Sequence, residues 1–221
     1  MQYYVTSEIE VQEHPIAVPS LPWISAEEVF ARVSYLDAVR ALQRDLRTGC
    51  DPASDFTRRV LDVKQGQLLV MPSASSEFVG VKVATVAPDN PALGKERIQG
   101  VYVLMDAATL TPVALLDGAA LATLRTPAVS AAVADILAPA VINHAVVFGS
   151  GPQASGHLQA LAAVRQLGRV TIVARNQERA GALADTVAAT GTPTTVGIAE
   201  DSRDAQLIVC ATTALFFPLT L

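Results

Sequence analysis

The six residues Gly149-Ser150-Gly151-Pro152-Gln153-Ala154 constrain the fold of this chain more than any other stretch. They fit the form G-x-G-x-x-G/A, in which the first glycine permits a tight turn and the second lets the backbone approach a pyrophosphate. The small third residue allows a helix to pack closely on a strand. Pro152 suits the opening turn of that helix, whose free amides and dipole face the phosphates. The flanks give the motif its weight. HAVVF, GSGPQA, SGHLQALAAVRQLG and RVTIVA read as strand, turn, helix and strand, followed by a helix from Gln177 to about Ala189, then TTVG and LIVCAT. This alternation predicts right-handed βαβ units and a parallel sheet. The expectation is an α/β chain with a Rossmann-type domain over 141–221, binding a nicotinamide dinucleotide through Gly149, Gly151, Pro152, Gln153 and Ala154.

Beyond the strand RVTIVA stand Arg175 and Asn176, where an NAD-selective fold often carries Asp or Glu. A cation there pairs with the 2′-phosphate of NADP, whereas a carboxylate favours the ribose hydroxyl of NAD. The sequence therefore predicts NADP(H) in preference to NAD(H).

The remainder reads as a smaller α+β unit. Residues 1–24, with Pro15, Pro19 and Pro22, predict an extended lead-in. Ser25 with Glu28, and Ser34 with Asp37, have the form of capping boxes that open two helices, and Gly49 is placed to end the second. QLLVMP, FVGVKVATV, GVYVLMD and PVALLD predict a small sheet within 25–120. LATLRTPAVSAAVADILA predicts a long buried helix from near Leu121, with Pro127 in its first turns, connecting the two parts over 121–140.

Composition narrows the partners. The chain is 51% hydrophobic, mostly Ala, Val and Leu, which suits helices on buried parallel strands. A net charge of −5 leaves no basic field for nucleic acid. Arg125 and Asp135 interrupt the apolar stretch 119–140 and argue against a membrane span, and the start MQYYVTSEIE has no basic n-region before an apolar one. The expectation is a cytoplasmic protein with neither nucleic-acid nor membrane partner. Cys50 and Cys210 are read as buried or idle thiols, and His14, His144 and His157 match no zinc spacing, so no metal is expected.

Two cations sit among apolar neighbours. Lys82 in FVGVKVATV is either an outward-facing strand lysine or one whose ammonium reaches a cleft. Arg125 in ATLRTPAVS is either an interdomain ion pair or a ligand group. Arg58 and Arg59 lie on a polar stretch and say little alone.

Together QLLVMPS, GVKVATVAPDNP, GVYVLMDAATLTPVALLDGAAL, ATLRTPAVSAAVADILA and GSGPQASGHLQAL resemble the ornithine cyclodeaminase/mu-crystallin family, in that order, from roughly Ser25 to Thr213. The resemblance implies a substrate and dimerisation domain followed by a Rossmann domain, in a homodimer acting on small amino or imino acids with NAD(P). It implies that Lys82 contacts the reacting acid and that Arg125 clamps its carboxylate, with Thr126 of the same segment at the cofactor. An arginine before the MP strand adds a second clamp, with Arg58 the closer match and Arg59 also open. Leu110 departs from the family by standing at a usual turn glycine, and Pro127 by replacing an alanine. After CATTA the chain runs LFFPLTL to Leu221, where family members continue with more Rossmann strands, a proton-handling aspartate and a return segment. The expectation is a C-terminally shortened member with an incomplete Rossmann sheet. Three readings stay open: a ketimine or pyrroline-carboxylate reductase, an ornithine cyclodeaminase releasing ammonia, and a truncated, inactive NADP(H)-binding protein.

Overall fold

The computed structural model describes residues 20–212. The first nineteen residues of the lead-in and the segment LFFPLTL lie outside the described residues. Two capping boxes open the helical start: Ser25 and Glu28 cap α1 (Ala26–Arg32), and Ser34 and Asp37 cap α2 (Tyr35–Arg47). Gly49 follows the end of α2 at φ +103°, a conformation that glycine adopts without a Cβ penalty.

A six-stranded sheet follows, in the order β1-β6-β5-β4-β3-β2. Its strands are β1 (Trp23–Ile24), β2 (Arg59–Val63), β3 (Gly66–Ala74), β4 (Phe78–Val86), β5 (Ile98–Asp106) and β6 (Pro112–Asp117). The pairs from β2 to β6 are antiparallel, and β1 joins parallel to β6, so Trp23 and Ile24 of the expected lead-in belong to the sheet. Strand β2 carries no alternating pattern and all five of its residues are exposed, which is why the sequence does not announce it.

The turn between β5 and β6 holds Leu110 at φ 56°, a left-handed conformation costly for an L side chain. With Leu110 61% exposed, its side chain contributes little packing. Leu110→Gly is expected to raise stability by about 1 kcal/mol, read as a higher urea midpoint at unchanged slope. An unchanged midpoint would show that the turn carries no strain.

Helix α3 (Gly118–Leu137) begins three residues earlier than the sequence predicts, because Asp117 accepts from the amides of Ala119 and Ala120, each at 2.9 Å. Pro127 therefore lies in the helix interior rather than its first turns. Proline has no N–H to give to the carbonyl of Thr123, and the hydroxyl of Tyr35 reaches that carbonyl instead, at 3.5 Å. The helix has the length and apolarity to cross a bilayer. Here one side packs on α2, α4 and β5, while Val129, Val133, Ile136 and Leu137 are exposed, so the expected buried helix is buried on one side only.

The second sheet is wholly parallel, in the order β10-β7-β8-β9, from β7 (Val141–Phe148), β8 (Gln166–Val173), β9 (Thr194–Val196) and β10 (Leu207–Cys210). Helices α4 (Pro152–Ala162) and α5 (Gln177–Ala188) form its crossovers. This is a Rossmann-type order, with the connection reversing direction between β7 and β10. Ile142, Leu158, Leu161 and Ile172 are fully buried at its centre. Both cysteines are exposed, which leaves the idle rather than the buried alternative for these thiols: Cys50 follows α2, and Cys210 ends β10, an edge strand among the described residues. Along that edge a groove of about 630 Å³ is lined by Val133, Leu137, Leu207 and Val209, and none of the sequence-predicted site residues lines it.

Candidate active site

Gly149 leaves β7 at φ +124°, and a methyl group built on it would collide with the carbonyl of Ala211 just past β10. The turn is thus wedged between the carboxyl ends of β7 and β10, the crevice where open α/β sheets take ligands. Gly151 is the N-cap of α4 and offers no side-chain cap, and a Cβ built there meets nothing within 4 Å. Open space before uncapped helix amides is a cradle for phosphate oxygens. Pro152 is the first residue of α4, and Ala154 is fully buried where the helix meets the sheet. The chain's own residues therefore fit a pyrophosphate.

Gln153 reaches from α4 to α3, its amide nitrogen 3.5 Å from the carbonyl of Ala122, while its side-chain oxygen is buried without a partner. Thr126 lies one turn beyond Ala122, on the same side of α3. At the end of β8, Arg175 is exposed and enters no ion pair among the described residues. Asn176 caps α5 by accepting from the amide of Arg179 at 2.9 Å, so its oxygen is engaged within the protein.

The second group of residues is organised by α3 and the antiparallel sheet. Gly118 brings the start of α3 down onto Gly100 and Val101 of β5, with no room for a Cβ. Gly100 pairs with Ala84, two residues from Lys82, so α3 runs over the face that carries Lys82. Two turns along, Arg125 comes close enough to lower the pKa of Lys82. The Lys82 ammonium is held below its usual value first by burial, then by Arg125, then by Arg58. Arg125 is likewise lowered by burial and then by Arg58.

The strand register separates the two arginines that the sequence leaves open. Arg59 pairs with Val70, on the face opposite Lys82. Continuing that register sets Arg58 opposite Met71, which itself faces Lys82. The structure thus gathers Lys82, Arg125 and Arg58, and none of the three is paired with a carboxylate among the described residues. Two half-buried cations, Lys82 and Arg125, with the exposed Arg58 beside them, repel one another and present a local excess of positive charge. Three residues not singled out by the sequence share that region. Tyr102 faces Lys82 from β5, Ser73 faces Gly80 from β3, and Asp55 accepts from the Ser73 hydroxyl at 3.3 Å. The register of β3, β4 and β5 places Tyr102 and Ser73, and the hydrogen bond from Ser73 places Asp55.

The model of the ornithine cyclodeaminase/mu-crystallin family matches residues 23–217. A Delta(1)-pyrroline-2-carboxylate reductase of Bacillus cereus is 36% identical over 156 residues, covering 68% of this chain and 48% of the relative. One of Colwellia psychrerythraea is 28% identical over 204 residues, covering 86% of this chain and 63% of the relative. The solved Delta(1)-pyrroline-2-carboxylate reductase of Thermococcus litoralis, in complex with NADH and L-proline, superposes with a TM-score of 0.80 at 25% identity. That match covers 87% of this chain and 62% of the other. The chain therefore spans less than two thirds of the length of these relatives. With the family's model running through both sheets and both groups of site residues, this chain belongs to the ornithine cyclodeaminase/mu-crystallin family.

Proposed function

We propose that the protein is an NADP(H)-dependent reductase of a small cyclic imino acid of the pyrroline-2-carboxylate type, working as a homodimer. The observation that carries the reading is the cluster of Lys82, Arg125 and Arg58, unpaired with any carboxylate among the described residues. It is joined by α3 to the glycine turn at Gly149. Guanidinium forks suit a carboxylate, and a third cation beside them strengthens the hold in a partly desolvated site. The names of the B. cereus and C. psychrerythraea relatives support the same substrate class.

The dinucleotide, held by Gly149, Gly151, Pro152, Gln153 and Ala154, supplies the hydride chemistry when bound. The chain's own contribution is orientation. Arg125 and Arg58 fix the carboxylate in two directions, and Lys82 contributes charge next to the reacting carbon, so the C–N carbon is presented to one side only. Thr126, one residue from Arg125, ties the same turn of α3 to the cofactor side. Arg175 reads the 2′-phosphate, which makes NADP(H) the preferred cofactor.

Titration of the purified chain with NADPH and NADH, followed by fluorescence, is expected to give tighter NADPH binding, with the difference lost in Arg175→Ala. Incubation with pyrroline-2-carboxylate is expected to consume NADPH with saturation. A folded sample that binds NADPH but consumes none with this imine would refute the reductase reading, and ammonia release from ornithine would favour a cyclodeaminase.

A further inference from the structure

The carboxylate-anchoring cations leave Tyr102 without a task. It stands directly opposite Lys82 in the β4·β5 pair, where facing Cβ atoms lie about 5 Å apart. Its ring crosses Gly80, two residues before Lys82, so closely that a methyl group built on Gly80 would collide with the phenol oxygen and ring. Glycine at 80 is therefore what lets the phenol lie flat along the strand. On the far side of Gly80 is Ser73, whose hydroxyl donates to Oδ2 of Asp55 at 3.3 Å, while Oδ1 of Asp55 accepts from the amide of Phe56 at 2.9 Å. The Tyr102 phenol is held above its usual pKa by burial and then by the negative charge of Asp55. Among the described residues its hydroxyl makes no hydrogen bond to protein.

One strip of the sheet thus has two poles. Lys82, Arg58 and Arg125 form the cationic one, and the Tyr102 hydroxyl, backed by Asp55, forms an acceptor pole beside it. An α-amino or α-imino acid has the same polarity: a carboxylate, one carbon, then a nitrogen bearing hydrogen. We infer that Tyr102 receives the nitrogen end of the bound acid, its phenol oxygen accepting the N–H while the three cations hold the carboxylate. Asp55 acts through Tyr102 as a positioning residue, making the phenol oxygen the better acceptor for a protonated nitrogen. This inference rests on the carboxylate-anchoring reading above and adds the group that distinguishes an imino acid from a plain carboxylate.

The test compares two five-membered rings that differ only at the nitrogen. L-proline and cyclopentanecarboxylate are titrated calorimetrically into the 221-residue chain saturated with NADPH, a combination in which cofactor and proline are both reduced and nothing turns over. The unaltered chain is expected to prefer proline by about tenfold, the size of a hydrogen bond to a charged group. Tyr102→Phe, which keeps the ring over Gly80, is expected to abolish the preference and leave cyclopentanecarboxylate binding unchanged. Asp55→Asn is expected to reduce the preference. A proline preference that survives Tyr102→Phe overturns the inference, and one that survives Asp55→Asn overturns the role of Asp55. Failure of both acids to bind a chain that binds NADPH sinks the carboxylate-anchoring reading itself, and the inference with it.

Discussion

Lys82→Met is expected to weaken binding of L-proline and of cyclopentanecarboxylate by about a hundredfold or more while raising the melting temperature of the unliganded chain. The two signs share one cause. Lys82 is partly buried beside Arg125 and Arg58, and burial and both neighbours oppose its charge. Without a ligand the ammonium is a cost to the fold, and with a carboxylate bound it becomes a partner. The pH dependence has a fixed sign. The folded chain holds Lys82 below its ordinary value, so over the window from that lowered value up to the ordinary lysine value of about 10.4 the unfolded state binds more protons. Stability rises with pH across that window, and Lys82→Met removes the rise. Anion affinity falls in the same window as the ammonium is lost. Calorimetric titration and thermal melts of the same two samples check both signs. Retained binding in Lys82→Met would remove this residue from the anion site, and a lowered melting temperature would show that its stem packs more than its charge repels.

Much of this arrangement is legible in the sequence because it is written locally. Capping boxes at Ser25 and Ser34, apolar runs at β3 to β6, and the strand, turn and helix around Gly149 each depend on neighbours a few residues away. What the sequence withholds depends on register. The sequence favours Arg58 but leaves Arg59 open, and only the pairing of Arg59 with Val70 sets Arg58 alone on the face of Lys82. Tyr102 reads as one more strand aromatic until β4 and β5 are aligned and Gly80 is found beneath its ring. Strand β2 escapes because an edge strand exposed on both faces has no period to detect. Pro127 reads as an early helix residue because Asp117, which starts α3, looks like the end of a strand. Its interior position is tolerated because the orphaned carbonyl of Thr123 receives a hydroxyl from Tyr35, 88 residues away in sequence.

Asp135→Ala is expected to cost about 3 kcal/mol, the effect of removing one partner from a largely buried charge pair. Asp135 sits near the end of α3 with its side chain 15% exposed. It gathers Arg165, which is 14% exposed, together with Arg40 at 2.5 Å and Gln43 at 2.9 Å. Arg165 also donates to the backbone carbonyl of Asp135 and, at 3.3 Å, to that of Ala138. Alanine would leave Arg165 buried without its carboxylate and would release α2 and the segment after α4 from the end of α3. For a chain of this size the melting temperature is expected to fall by about 6 to 12 °C. Hydrogen bonds from Gln43 and Arg40, and then Arg165, hold the Asp135 carboxyl down to about 2. Its contribution is therefore fully present above the ordinary aspartate value and is lost as pH falls from there toward about 2. Asp135→Ala should accordingly flatten the acid limb of the stability profile, and an unaltered limb would refute the assignment. Asp135 lies ten residues from Arg125, about 15 Å along the helix. Below its melting transition the variant should therefore keep the NADPH affinity of the unaltered chain. Cations gathered around Asp135 stabilise the fold without touching the ligand, whereas cations gathered around Lys82 do the reverse. Asp135→Ala should therefore melt lower with cofactor binding kept, whereas Lys82→Met should melt higher with acid binding lost.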